Sequence, residues 1–335
     1  GSPDAGAKFI VVGEAGAGHA FTGHIITGQA VRIFTGAPVP QGATRVIIQE
    51  DVTADGHTIT VSPKADIALN IRTQGQDFRD GDTLPPRRLK PNDLALLAAM
   101  NVAQVQVARR PVVALIATGD ELVMPGETPT PDQIIASNSF AIAALIEAEG
   151  GIARILPIAR DTKAALTAVL NLAQDADLIL TIGGASVGDH DLVASVTAEM
   201  GMERAFWRIA MRPGKPLMAG RLHGKLMLGL PGNPVSAIVC AHLFVLPVVR
   251  AMQSRTDIAP QPRRAILTAP VEANGPRSHY MRAQVADVDG FPRITPFDRQ
   301  DSALLRTLSD ANALLIRPIS DGPCAAGDTV EYLAL

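Results

Sequence analysis

The stretch Asp177-Leu-Ile-Leu-Thr-Ile-Gly-Gly-Ala-Ser-Val-Gly-Asp-His-Asp191 decides the fold, because an apolar segment runs directly into a glycine-rich loop. Leu178–Ile182 has the short, continuous apolar character of a strand that a parallel sheet buries on both faces. Three glycines then allow backbone N–H groups to approach an anion, and two aspartates that follow predict a Mg²⁺ ion shared with a phosphate. The alternative is an ordinary strand-to-helix turn with an aspartate that caps a helix over 192–200. The glycines are Gly183, Gly184 and Gly188, and the aspartates are Asp189 and Asp191.

Two further apolar segments also end in carboxylates. Val112–Ala117 runs into Thr118-Gly119-Asp120-Glu121, and the segment 154–159 runs into Arg160-Asp161. Open α/β sheets bind ligands at the carboxyl ends of their strands, so three acidic strand ends predict one site at one sheet edge. Asp161 is also well placed to cap a helix over 162–173, and the two roles are compatible.

Two proline-containing segments supply the positive side of this site. Met211-Arg-Pro-Gly-Lys-Pro216 places Lys215 between two prolines, which restrict the backbone that carries it. Leu230-Pro-Gly-Asn-Pro-Val-Ser236 opens an apolar helix, with Asn233 as the predicted N-cap and Pro at the first helical position. Free N–H groups at this helix start, together with Ser236, predict a seat for an oxyanion. A well-capped core helix explains the same residues equally well.

Composition predicts a cytoplasmic enzyme that uses neither nucleic acid nor membrane. The 335 residues are 47% hydrophobic, carry a net charge of −3 and contain 4% aromatic residues, so a basic or stacking surface for nucleic acid is not expected. Cys240 and Cys324 form no metal-binding or disulfide pattern, which favours a reducing compartment. The longest apolar run, 237–249, is too short to cross a bilayer and is predicted to be a core helix.

The order of segments predicts a multidomain protein of α/β and β class. A central doubly wound α/β domain over 111–255 is flanked by a β-rich domain over 8–88 and a small C-terminal β-barrel over 262–335. A helical segment over 89–110 lies between the first two domains. Strands are predicted at 9–12, 30–33, 45–49, 58–61 and 67–71, helices at 94–100 and 139–149, and an extended segment at 102–107.

Several motifs occur in the order found in the molybdopterin molybdenumtransferases, the family of MoeA and the gephyrin E domain, and the resemblance covers essentially the whole chain. It implies insertion of molybdate into the dithiolene of adenylylated molybdopterin, with Mg²⁺-dependent loss of AMP. The motifs are Arg32-Ile-Phe-Thr-Gly-Ala-Pro-Val-Pro40, Asn70-Ile-Arg-Thr-Gln-Gly-Gln-Asp77, Thr118-Gly-Asp-Glu121, Ser137-Asn138, Gly183-Gly-Ala-Ser-Val-Gly-Asp-His-Asp191, Pro213-Gly-Lys-Pro216 and Pro231-Gly-Asn-Pro-Val-Ser236.

The resemblance also implies residue roles and a homodimer. Thr35 and Asp77 belong to the β-rich domain, which in the family reaches over the core domain of the partner subunit, so shared sites are implied; from the residues alone both are turn residues beside glycine. Asp161, Asp189 and Asp191 are the implied Mg²⁺ ligands, and Ser186, Ser236 and Lys215 the implied holders of molybdate. The implied catalytic residues are Thr35, Asp77, Glu121, Asp161 and Asp191, and the implied cofactor-binding residues are Thr118, Gly119, Asp120, Gly183, Gly184, Ser186, Gly188, Lys215, Asn233 and Ser236.

The sequence departs from the family pattern at its start and at position 76, next to Asp77. Family members carry an N-terminal helical segment and an Ala-Met-Asp-Gly-Tyr-Ala motif before the point where this sequence begins, so a truncated chain with impaired turnover is implied. Gln76 stands where Glu is common in the family. Two other functions stay open: a molybdopterin adenylyltransferase, which the family also implies as the upstream partner, and a peptide-binding scaffold of the gephyrin E type.

Overall fold

A computed structural model describes residues 5–184 and 192–335 and divides the chain into two compact units, 1–85 and 86–335. The predicted Ser186, Gly188, Asp189 and Asp191 lie outside the described residues. Each unit is described by itself.

The first unit contains a sheet in which the strand order is β2-β1-β4-β3. Strands predicted at 45–49 and 67–71 were wrong: neither segment forms a strand, and Ile67 is 83% exposed, so burial of its apolar side chain does not stabilise one. A strand that was not predicted, Val52–Asp55, pairs with β4 instead. The strands of this unit are β1 Lys8–Ala15, β2 Gln29–Ile33, β3 Val52–Asp55 and β4 Thr58–Val61, with a 3₁₀ turn at Gln49–Asp51.

The second unit carries the predicted α/β core and C-terminal barrel, preceded by the helix α1. This helix spans Pro91–Ala99, and the segment predicted as extended, 102–107, has no regular structure. The remaining elements are β5 Val112–Ala117, β6 Leu122–Val123, β7 Ile134–Ile135, α2 Asn138–Ala148, β8 Ile152–Ile155, α3 Lys163–Asn171, β9 Leu178–Ile182, α4 Leu192–Glu199, β10 Glu203–Arg208, β11 Met211–Arg212, β12 Pro216–Leu222, β13 Lys225–Leu230, α5 Pro234–Cys240, a π-helical turn Ala241–Val245, α6 Leu246–Met252, β14 Arg263–Leu267, β15 Ser278–Val288, β16 Phe291–Pro296, α7 Leu305–Asp310, β17 Ala313–Arg317 and β18 Thr329–Ala334.

The core sheet has the strand order β10-β12-β13-β9-β5-β8 and is covered by helices on both faces. Along β5, Val113 and Leu115 face α2, α5 and α6, whereas Ala114 and Ile116 face α3 and α4. This alternation of two apolar faces confirms the doubly wound architecture. The parallel sheet expected from the sequence is found in the pairings of β13 with β9, β9 with β5 and β5 with β8, whereas β12 runs antiparallel to both β10 and β13.

The hairpin that links β12 to β13 explains this difference. Leu222 pairs with Lys225 across a two-residue turn in which His223 and Gly224 have φ values of 49° and 78°. Positive φ at both central residues is typical of a type I′ turn, the connection that matches the twist of an antiparallel hairpin.

The C-terminal residues form the predicted barrel. Its strand order, β15-β16-β14-β18-β17, closes through an additional pairing between β15 and β17. Leu308, Leu314 and Leu333 of this region join the same apolar cluster as the core helices, so the barrel is packed onto the α/β core.

The apolar run predicted as a core helix extends further than expected. Helical structure continues over Pro234–Met252, and this span of 19 residues with mean hydropathy 2.0 is long and apolar enough to cross a membrane by length and composition. Seven of its side chains nevertheless lie in the buried core cluster: Val235, Ala237, Val239, Cys240, Ala241, Val245 and Val249. This packing is typical of a core helix.

Candidate active site

Three turns converge at the carboxyl ends of β5, β9 and β13. The amide of Thr118 donates to the carbonyl of Ile182 at 3.0 Å, and the amide of Gly183 donates to the carbonyl of Leu230 at 3.1 Å. Asn138, at the start of α2, donates through Nδ2 to the carbonyl of Gly232 at 2.7 Å. The structure therefore brings together the turns that follow β5, β9 and β13, whereas the three strand ends that the sequence predicted to meet were those of β5, β9 and the segment 154–159.

Gly183 is required by the closeness of these turns. Its φ is +96°, and a Cβ atom there would lie 2.8 Å from the carbonyl oxygen of Thr118. Thr118 is itself buried, and its Oγ1 has no hydrogen-bond partner among the described residues, although it faces the space beside Gly183 and Gly184. Burying a hydroxyl without a hydrogen-bond partner costs free energy of folding. The Oγ1 of Thr118 is therefore a polar group that a bound ligand could satisfy at the centre of the site.

Asp120 and Asp161 form the acidic side of this edge. The amide of Asp161 donates to Oδ1 of Asp120 at 3.1 Å, and the amide of Asp120 donates to Oδ2 of Asp161 at 3.3 Å. Each carboxylate thus accepts from the backbone of the other residue. The predicted capping role of Asp161 was wrong, since Thr162 caps α3 by accepting from the amide of Ala165 at 3.2 Å.

Glu121 follows directly and lies back over the turn. A Cβ atom on Gly119 would be 2.3 Å from Oε2 of Glu121, so the carboxylate lies against the glycine backbone, whose φ of +144° itself favours glycine. Within residues 5–184 and 192–335, no group of three or more His, Cys, Asp and Glu side chains is arranged to hold a metal ion. Asp120 and Asp161 would therefore need further ligands to form a complete cation site.

The lysine-containing loop is held between the core and the barrel. Its strand β11 pairs with β15, so Arg212 lies opposite His279, and the amide of Ser278 donates to the carbonyl of Ala210 at 2.9 Å. A Cβ atom on Gly214 would be 2.5 Å from Sγ of Cys240, which shows how closely the loop packs on α5. Lys215 is exposed at the end of this braced segment.

The start of α5 offers fewer free amides than the sequence predicted. Asn233 occupies the N-cap position without a side-chain capping bond, and Pro234 has no N–H group. The amide of Val235 donates to the carbonyl of Ser302 at 3.1 Å, and that of Ala237 donates to the carbonyl of Asn233. The oxyanion seat predicted here is thereby reduced to the amide and hydroxyl of Ser236, which is 4% exposed.

A buried basic cluster in the barrel was not predicted. Burial, with a smaller contribution from surrounding arginines, lowers the pKa of His279 to about 4. Arg282 is 1% exposed, donates to the carbonyl of Asp301 at 2.8 Å, and has an Nε without a partner among the described residues. The signal was present in Ser278-His-Tyr-Met-Arg282, where charged residues interrupt an otherwise inward-facing strand pattern. The arginines around His279 are Arg212, Arg277, Arg282 and Arg317.

Sequence comparison supports the same three regions. Residues 3–101 match the family described as MoeA N-terminal region (domain I and II), residues 114–251 match a probable molybdopterin binding domain, and residues 264–335 match MoeA C-terminal region (domain IV). The molybdopterin molybdenumtransferase of Haemophilus influenzae is 34% identical over 96% of this chain and 80% of its own length. That of Bacillus subtilis is 32% identical over 98% and 78%.

The chain belongs to the molybdopterin molybdenumtransferase family. It is a transferase of molybdenum cofactor biosynthesis. The crystal structure of the molybdopterin biosynthesis moea protein from Pyrococcus horikosii has the same fold. Its TM-score is 0.81, and it is 30% identical over 98% of this chain and 81% of that one.

The two predicted site residues of the first unit of this molybdenumtransferase are exposed turn residues. Thr35 follows β2 immediately before Gly36, whose φ is +86°, and Asp77 follows the turn at Gly75, whose φ is +72°. Their described surroundings do not test a catalytic role, which remains a prediction.

Proposed function

We propose that this transferase inserts molybdate into the dithiolene of adenylylated molybdopterin and releases AMP in a Mg²⁺-dependent reaction. The observation that carries the proposal is the convergence of the turns at Thr118, Gly183 and Gly232 beside the paired carboxylates of Asp120 and Asp161. A glycine-lined edge of a parallel sheet suits a phosphorylated ligand, and carboxylate oxygens suit Mg²⁺.

The acidic side would hold the cation. Asp161 would bind Mg²⁺ together with Asp189 and Asp191, which lie outside the described residues. When bound, Mg²⁺ would polarise a phosphoryl oxygen and neutralise charge that develops on it. Glu121, above Gly119, would lie next to this position and orient the ligand through its carboxylate.

The basic side would hold molybdate. Lys215 supplies a positive charge on a braced loop, and Ser236 supplies a hydroxyl and an amide at the start of α5. The carbonyl of Asp301 accepts from Arg282 while that of the next residue, Ser302, accepts from Val235, so this stretch links the buried arginine to the same helix start. A tetrahedral oxyanion is recognised by such donors.

The oligomeric state, the compartment and the upstream enzyme are also part of the proposed function. We propose a cytoplasmic homodimer in which Thr35 and Asp77 of one subunit complete the site of the other, supplied by a molybdopterin adenylyltransferase upstream. Sedimentation of the wild-type chain tests the dimer. AMP release by a mixture of Thr35→Ala and Asp191→Asn subunits tests whether the two subunits share their sites. A higher rate of AMP release from the mixture than from either impaired variant alone supports shared sites, whereas a monomeric active chain contradicts them.

The decisive experiment measures AMP release from adenylylated molybdopterin. We expect release only when both molybdate and Mg²⁺ are present, with loss of release on chelation. No release with both present would contradict the proposal. Formation of adenylylated pterin from ATP and molybdopterin would instead support an adenylyltransferase, and peptide binding without AMP release would support a scaffold.

A further inference from the structure

We propose that Arg160 is a positioning residue that fixes the turn 119–122 and, through it, the carboxylates of Asp120 and Glu121. One guanidinium nitrogen, Nη1, donates to three carbonyls of this turn: those of Gly119 at 3.4 Å, Asp120 at 3.0 Å and Leu122 at 3.1 Å. The catalytic consequence of this role rests on the proposed function, whereas its structural consequence does not.

The convergence of three carbonyls requires a cation. Carbonyl dipoles directed at one point repel one another, and a guanidinium is always charged and donates strong hydrogen bonds to such oxygens. Without Arg160 the turn would rotate its carbonyls toward water. The carboxylate of Asp120, on the same turn, would then move away from the amide of Asp161, to which it is bonded at 3.1 Å.

The position of Arg160 in the chain makes this coupling direct. It immediately precedes Asp161 and immediately follows Ala159, whose carbonyl accepts from the amide of Gly119 at 3.1 Å. The segment after β8 and the turn after β5 are therefore joined by backbone bonds, by the reciprocal bonds between Asp120 and Asp161, and by this guanidinium. Among the bonds that join these two segments in the described part of the chain, those of Arg160 alone come from a cationic side chain, so its loss changes the charge of the turn as well as its shape.

Backbone amide exchange tests the structural claim on the full chain without any ligand. In Arg160→Ala we expect the amides of Asp120 and Asp161 to exchange roughly tenfold faster than in the wild type, because the turn opens locally. Arg160→Lys should recover part of this protection, since an ammonium donates to several carbonyls but is one bond shorter. Arg154→Ala is the matched control: Arg154 lies on β8 and pairs with Asp175, so its loss should leave exchange in the turn unchanged.

Steady-state AMP release tests the functional claim. Arg160→Ala should lower kcat by roughly tenfold or more while changing KM little, because a misplaced carboxylate impairs the reaction more than binding. Arg160→Lys should lie between the two, and Arg154→Ala should keep the wild-type rate. A change in KM alone would overturn the positioning role.

The two possible failures are distinguishable. Wild-type exchange at Asp120 and Asp161 in Arg160→Ala would overturn the inference even if AMP is released normally by the wild-type chain. Absence of AMP release from the wild-type chain would overturn the proposed function and leave the exchange result standing. If Arg160→Ala does not fold, exchange at these amides in folded Arg160→Lys that is faster than in the wild type supports the inference, and wild-type protection overturns it.

Discussion

Substitution of Gly183 by alanine should lower the free energy of unfolding by more than backbone strain alone explains, because the added Cβ atom would also crowd the site. The added Cβ would lie 2.8 Å from the carbonyl oxygen of Thr118 and 3.1 Å from its Oγ1, in a backbone with φ of +96°. Left-handed backbone costs a non-glycine residue about 1–2 kcal/mol, and overpacking a closely packed site costs a further ~1–3 kcal/mol. We therefore expect Gly183→Ala to lower the free energy of unfolding by about 2–5 kcal/mol.

Gly224 provides the control for this substitution. It also has a positive φ, +78°, but a Cβ atom there would meet nothing within 4 Å. Gly224→Ala should therefore show only the backbone cost, about 1 kcal/mol. Differential scanning calorimetry should place the transition of Gly183→Ala roughly 2–12 °C below that of Gly224→Ala, since the two differ by the overpacking cost of ~1–3 kcal/mol and 1 kcal/mol shifts Tm by about 2–4 °C in a unit of this size. AMP release should fall in Gly183→Ala and remain normal in Gly224→Ala. Equal Tm values for the two variants would refute the claim that three turns meet tightly at Gly183.

Substitutions at four further positions, Lys215, Asp161, Asp191 and His279, test the charges. Lys215→Ala should weaken the dependence of AMP release on molybdate more than Lys215→Arg, which keeps the charge with different donor geometry; the same molybdate titration for Lys215→Ala and the wild type would contradict this. Asp161→Asn and Asp191→Asn should each slow Mg²⁺-dependent AMP release by roughly tenfold with the fold retained, because an anionic ligand is lost at constant volume; wild-type rates would leave both residues without a catalytic role. His279, with its pKa lowered to about 4, stays neutral in the fold while the unfolded chain takes up a proton below pH 6.5, so stability should fall between pH 6.5 and 4 by on the order of 3 kcal/mol, and His279→Gln should flatten this slope in denaturant titrations.

The helices and strands whose bounds were predicted best are those that a single local sequence pattern defines. β5 and β9 have the predicted bounds, because each is a continuous apolar run ended by glycine or a polar residue within two positions. The helices α2 and α4 begin and end within one residue of prediction for the same reason. In contrast, β10 carries charges at Glu203, Arg204 and Arg208, and its exposed edge position leaves no apolar pattern to detect.

The sequence predicted which residues lie at the same edge of the sheet, but not the hydrogen bonds that join them. Acidic strand ends in a parallel sheet must lie at one edge, so the proximity of Asp120 and Asp161 followed from the sequence. Their reciprocal backbone bonds, and the three carbonyls bound by Arg160, depend on turn geometry that composition does not specify. The pairing of Arg212 with His279 joins residues that are distant in the chain, and the sequence carries no local signal for it.

The antiparallel strand β12, which the sequence did not predict, brings the lysine-containing loop to the edge of the sheet that carries the carboxylates. β13 is parallel to β9 and ends at the same edge, where Gly232 accepts from Asn138. Because β12 is antiparallel to β13, with Met218 opposite Gly229, it begins at the edge where β13 ends. The loop before β12, which carries Lys215, therefore lies at the edge that also carries Asp120 and Asp161. A parallel strand in this place would begin at the opposite edge, with the lysine far from the carboxylates. The antiparallel hairpin thus allows one sheet edge to carry both the loop with Lys215 and the turn with Asp120, to which we assign the oxyanion and the divalent cation of the proposed reaction.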